Sequence, residues 1–155
     1  MSNLKANLKQ LKDYERELKE ARKKAVYVGL PKDKVSATYD DGTSVIQIGA
    51  IHEFGMGRNP ERSFLRVPFN DNQKKIKNYI NKQYQAIFDG KGNTTQSLNK
   101  IGILARNISV AAFTDNDWKE LSEARKRQKI VNGKRGDNPL INTGNLRQSI
   151  TWSVR

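Results

Sequence analysis

The chain has 155 residues, 35% of them hydrophobic, which suits one modest core and therefore one domain. Twenty-nine basic residues against sixteen acidic ones give a formal net charge of +13, a surface made to attract nucleic acid or an acidic protein. The absence of cysteine excludes disulfides and thiolate metal sites. The start Met1-Ser2-Asn3-Leu4-Lys5 lacks the apolar stretch of a signal peptide, and no apolar run approaches membrane-spanning length, so a soluble protein made in a cytoplasm is expected.

From Leu4 to Ala25 the chain reads as a charged helix with a thin apolar seam: Leu4, Leu11, Leu18 and Ala25 recur every seven residues, with Tyr14 and Ala21 between them. Such a seam either packs one edge of the helix on its own domain or pairs it with a neighbouring subunit. The expected division is an N-terminal charged helix over 1–24 and an α+β domain over 25–155. Val26-Tyr27-Val28-Gly29-Leu30 is rich in β-branched residues and is closed by Pro31, which predicts a strand. Val35 to Tyr39 is a weaker strand candidate, and Asp40-Asp41-Gly42 marks a turn. Thr43 or Ser44 caps a helix that presents Val45, Ile48 and Ile51/His52 on one face and stops at Gly55.

Beyond the glycine-rich loop 55–60, a long helix is expected from Phe64 or Pro68 to about Phe88, with Ile76, Ile80, Tyr84 and Ile87/Phe88 at helical spacing. Asp89-Gly90-Lys91-Gly92-Asn93 breaks the chain. Thr94 or Thr95 caps the next helix, whose face is Leu98, Ile101, Ala105, Ile108 and Ala112; Gly102 and the alanines would let a neighbour approach closely. Ser122 opens a short basic helix, and 132–137 form a polar loop. The end of the chain alternates, with Ile150, Trp152 and Val154 on a core-facing side and Ser149, Thr151 and Ser153 on the other. Residues 26–30 and 149–154 are therefore the expected partners in a small antiparallel sheet packed against several long helices, a single-domain α+β fold.

The motifs point away from catalysis. His52 is the single histidine, so a two-histidine metal site within the chain is excluded, and Glu53 beside it lacks the second histidine of a zinc-protease helix. There is no Walker loop and no nucleophile elbow, and Gly55-Met56-Gly57 reads as a bend. Asp40, Asp41 and Glu53 are the available acidic candidates for a nuclease-type metal site, at undiagnostic spacing. No catalytic, cofactor or metal-binding residue is assigned. Positive charge gathers twice, over 58–82 and over 119–135, each with seven basic and two acidic residues. Lys74, Lys75, Arg125, Lys126 and Arg127 are the candidate DNA-facing residues, for backbone contact without sequence readout; a solvated face is the plainer alternative.

Four blocks then meet a family. Ala50-Ile51-His52-Glu53-Phe54-Gly55, Pro60-x-Arg62-Ser63-Phe64-Leu65-Arg66, Trp118-x-x-Leu121-Ser122-x-x-Arg125 and Leu140-Ile141-x-Thr143-Gly144-x-Leu146-x-x-Ser149-Ile150 together resemble the neck and tail-completion proteins of tailed bacteriophages, the head-tail joining type. The likeness covers about residues 25–155; in part of that grouping the last block precedes the first two, whereas here it follows them. The resemblance implies a non-enzymatic virion protein, assembled in the host cytoplasm, that forms a homo-oligomeric ring between the DNA-filled head and the tail. Its partners would be neighbouring neck, head-completion or tail proteins, with possible non-specific contact to packaged DNA. Phe54, Arg62, Phe64, Leu65 and Arg66 are the expected subunit interface, Phe64 and Leu65 acting as an apolar anchor between charged flanks. A basic DNA- or RNA-binding accessory protein is the alternative.

Overall fold

Residues from the two ends of the sequence pair to make the sheet: β1 (Val26–Gly29) lies antiparallel to β2 (Thr151–Val154), with Val26 opposite Val154 and Gly29 opposite Thr151. The computed structural model describes residues 2–115, 118, 120–123, 126, 127, 140 and 144–155. The helices are α1 (Ser2–Arg22), α2 (Val45–Phe54), α3 (Arg66–Asp71), α4 (Gln73–Phe88), α5 (Thr94–Asp115) and the short α6 (Asn145–Ser149). This is the expected small α+β domain, a two-stranded sheet packed against helices. None of the described helices is long and apolar enough to cross a membrane.

The central element is α5. Leu98, Ile101, Ala105, Ile108 and Ala112 are all buried, as their spacing predicts, and both strands pack on the helix. At Gly102 the indole of Trp152 occupies the space a methyl group would need, and its Nε1 donates to Asn99 Oδ1 at 3.0 Å. Ile150 is fully buried, whereas Trp152 is only half-buried, because it lies along α5 instead of entering the core. The small Ser153, expected to face outward, is buried instead. The core joins Val45 of α2, Phe64, Ala112 and Phe113 of α5, Leu146 of α6 and Ile150.

Several boundaries differ from expectation for local reasons. The helix foreseen from Phe64 or Pro68 to Phe88 is two helices meeting at Asn72, whose side-chain amide donates to Pro68 O at 2.9 Å. It is Asn93, not Thr94 or Thr95, that caps α5: its Oδ1 accepts from Gln96 N at 2.9 Å. Thr94 bonds to α1 instead, its N–H donating to Glu17 Oε2 at 2.7 Å and its hydroxyl to Glu17 O at 2.8 Å. Thr94, chiefly through its N–H, holds the Glu17 carboxyl below its ordinary range. The 35–39 segment contributes one bridge, Thr38 to Ser44, with the 40–43 turn closed by Thr43 N donating to Asp41 Oδ1 at 2.9 Å.

The N-terminal helix divides along its length. Its second half packs on α4 and α5 through buried Ala21 and an edge-on contact of Tyr14 with Phe88, ring centroids 4.9 Å apart. Its first half leaves Leu4, Leu8 and Leu11 exposed on one stripe. The seam therefore packs on its own domain over the second half of the helix, and over the first half its leucines stay exposed.

Candidate functional site

The blocks around α2 converge on one carboxylate. Ser44 opens this helix with a reciprocal capping box: its Oγ accepts from Gln47 N at 3.1 Å, and Gln47 Oε1 accepts from Ser44 N at 3.2 Å. The buried stripe is Val45, Gly49 and Glu53, one residue per turn, while Ile48, Ile51 and His52 are half-buried. At the end of that stripe Glu53 is 4% exposed. Oε1 accepts from Ser63 Oγ at 2.7 Å and Arg66 N at 2.9 Å; Oε2 accepts from Phe64 N at 2.8 Å and Leu65 N at 3.0 Å. Three successive backbone N–H groups at the entry to α3 thus end on one side chain, which does the work of a helix cap from a distance.

The surrounding residues complete this clasp. Gly55 ends α2 in the left-handed conformation (φ 64°), and a methyl group there would press on the backbone of Glu61, 2.8 Å from its nitrogen. Arg62 N donates to His52 O at 2.8 Å, and Ser63 Oγ accepts from Val67 N at 3.0 Å. Ser109 of α5 donates its hydroxyl to Phe64 O at 2.7 Å. Burial and the nearby Arg62 keep the His52 imidazole below its ordinary pKa and so favour its neutral form.

This geometry corrects the expected interface. Phe64 is 1% exposed and packs on Phe113, ring centroids 5.3 Å apart, so it is a core residue and not a docking anchor. Arg62 is buried as well, and Leu65 is half-buried. The flanking arginines misled because the clasp turns the backbone at Ser63 and Phe64 inward while leaving Arg66 outside. Of the five residues, Phe54 and Arg66 stay at the surface, and they touch: the Arg66 guanidinium lies 5.3 Å from the centre of the Phe54 ring. Arg66 also pairs with Glu61 at 2.7 Å. Phe54 is 59% exposed, and this aromatic with a cation stacked on it has the composition of an interface hot spot.

The basic residues separate in the same way. Lys74 and Lys75 are exposed on α4 and line a shallow groove of about 580 Å³ with Asn78, Tyr79 and Lys82. Lys126 instead turns onto two carboxylates, Glu120 at 2.9 Å and Glu123 at 3.0 Å, which raise its pKa and offset its charge locally. Arg127 is exposed, and Arg125 lies outside the described residues. Among the described residues no group of three His, Cys, Asp or Glu could hold a metal ion. Asp41 is occupied by its own turn and Glu53 by the clasp. No protein-family model matches the chain, and neither a curated protein nor a solved structure is significantly similar to it.

Proposed function

We propose that this chain is a non-enzymatic structural protein of a tailed bacteriophage virion, a neck subunit that joins the DNA-filled head to the tail and acts as part of a homo-oligomeric ring. The observation that carries the reading is that two blocks of the phage-neck resemblance, Ala50 to Gly55 and Pro60 to Arg66, are spent on a single structural device. The carboxylate chemically best suited to catalysis is engaged in it: both Glu53 oxygens accept hydrogen bonds from the 63–66 segment. A rigid clasp that leaves Phe54 and Arg66 on the outside suits a subunit whose task is contact.

The ring would meet head-completion proteins on one side and tail proteins on the other. The exposed lysines of α4 would face packaged DNA without reading its sequence. One observation favours a second reading, a basic nucleic-acid-binding accessory protein: the net charge of +13 far exceeds what a protein interface needs. Sedimentation and negative-stain microscopy of the purified chain, alone and mixed with tailless DNA-filled heads, separate the two. A neck protein forms rings or decorates the head vertex; an accessory protein does neither, whatever its affinity for free DNA.

A further inference from the structure

The sheet has two edges, and the molecule treats them differently. Ala25 and Arg155 exchange both backbone hydrogen bonds, so by the alternation of an antiparallel ladder Tyr27 and Gly29 are the bonded partners of Ser153 and Thr151. On the outer edge of β2 two successive outward carbonyls are taken by cations: Trp152 O accepts from Lys34 Nζ at 2.6 Å, and Ile150 O, just before the strand, from Arg106 Nε at 3.0 Å. Charged side chains placed there block strand addition. On β1, Val26 and Val28 direct their N–H and C=O groups away from β2, and among the described residues no hydrogen bond reaches those groups.

The open edge borders an open groove of about 890 Å³. Its floor is Leu98, Ile101 and Ala105 of α5; one wall is Val26 and Val28, and the other is Ile76 and Ile80 of α4. The charged residues that line it are Lys24, Arg66 and Lys77, all basic; Lys24 pairs with Glu20 at 3.5 Å and Arg66 with Glu61 at 2.7 Å, so Lys77, exposed on α4, is the cation most open to an incoming carboxylate. An unpaired strand edge beside an apolar floor calls for an extended polypeptide, with alternate side chains directed onto α5. The basic lining calls for carboxylates on the other positions, and it repels a second copy of a chain carrying +13.

We propose that this groove binds an extended segment of a different protein, apolar at alternate positions and acidic between them, as an added strand on β1. The inference stands on the edge and its groove and does not rest on the neck assignment. The test uses the full chain and a synthetic ten-residue peptide alternating valine and glutamate, with a valine–lysine peptide and a scrambled valine–glutamate peptide as controls. Amide hydrogen exchange is followed by NMR. At a peptide concentration one hundred times Kd, exchange at Val26 and Val28 should slow about a hundred-fold, with little change at Tyr27, whose amide is already bonded. V26P removes one groove-facing donor at the first position of an edge strand, where proline is tolerated, and should weaken binding; K77E, at an exposed lysine, should weaken it too. Equal binding of the lysine or scrambled peptide, binding without protection of Val26 and Val28, or no binding at millimolar peptide would overturn the proposal. Protection that rises with protein concentration in the absence of peptide would give the groove to a second copy and overturn the assignment to a different protein.

Discussion

Substituting Glu53 by glutamine keeps the side chain's size and removes its charge. Four hydrogen bonds end on the carboxylate, at 2.7–3.0 Å, three of them from backbone N–H groups. Glutamine retains one acceptor oxygen, enough for the two donors now on Oε2, and turns an amide N–H toward the two now on Oε1. The loss of two bonds to a charged acceptor, at about 1.5 kcal/mol each, predicts a destabilisation of about 3 kcal/mol. E53A, which leaves all three backbone donors without an acceptor, should cost about 4–5 kcal/mol. In urea, E53Q should lower the midpoint by about 1–2 M at unchanged slope, given slopes of about 1.5–3 kcal/mol/M. E61Q is the control: Glu61 pairs with the same Arg66 at the surface, and its loss should cost under about 1 kcal/mol. An E53Q midpoint indistinguishable from that of E61Q would refute the clasp as a source of stability.

F64A should destabilise the isolated chain by about 3–5 kcal/mol because the ring fills the core beside Phe113, and a melt matching the parent's would return Phe64 to the surface. G102A drives a methyl into the Trp152 indole and should cost about 1–3 kcal/mol, with a shift in tryptophan emission; unchanged emission and melting would mean the indole lies elsewhere. His52 is held below its ordinary 6.5, so the unfolded chain takes up a proton first and stability should fall as pH drops below about 6.5. H52Q should flatten that slope below about pH 6.5, and an unaltered slope would assign it to other groups. Reversing Lys74 and Lys75 together should shrink the log–log salt slope of duplex binding by about two and weaken all sequences alike, whereas K126E should do less because Glu120 and Glu123 already engage that lysine. Fluorescence anisotropy checks both, and equal effects would contradict the geometry.

Where pattern and burial agree, the sequence announces its structure. The β-branched run at 26–30 and the alternating end of the chain foretell the pair that forms, although the burial of Ser153 overturns the side the alternation assigned, and the regular face of α5 foretells the helix on which the pair lies. Gly55 as a helix stop and the break before Thr94 are local events decided by backbone conformation, so local residues reveal them. The clasp is different, because its meaning depends on contacts ten to thirteen residues apart that no periodicity encodes. One signal was available: Val45, Gly49 and Glu53 recur every fourth residue, a stripe that places a carboxylate on the buried side of α2. The arginines on either side made Phe64 look like an anchor; with Glu53 inside, the 63–66 backbone comes to it and Phe64 follows. The α3–α4 break escaped for a related reason, since Asn72 satisfies the backbone at a corner that apolar spacing runs straight through.

The central claim, a structural role at the head-tail join, is tested most directly in a tailed phage that encodes this chain, by placing a stop codon early in its reading frame. Lysates are then examined by electron microscopy, with and without the chain supplied in trans. The account predicts DNA-filled heads and completed tails accumulating unjoined, whole virions restored by the supplied chain, and its density in the neck. Fully joined, infectious particles from the mutant, or purified virions that lack the chain, would contradict it.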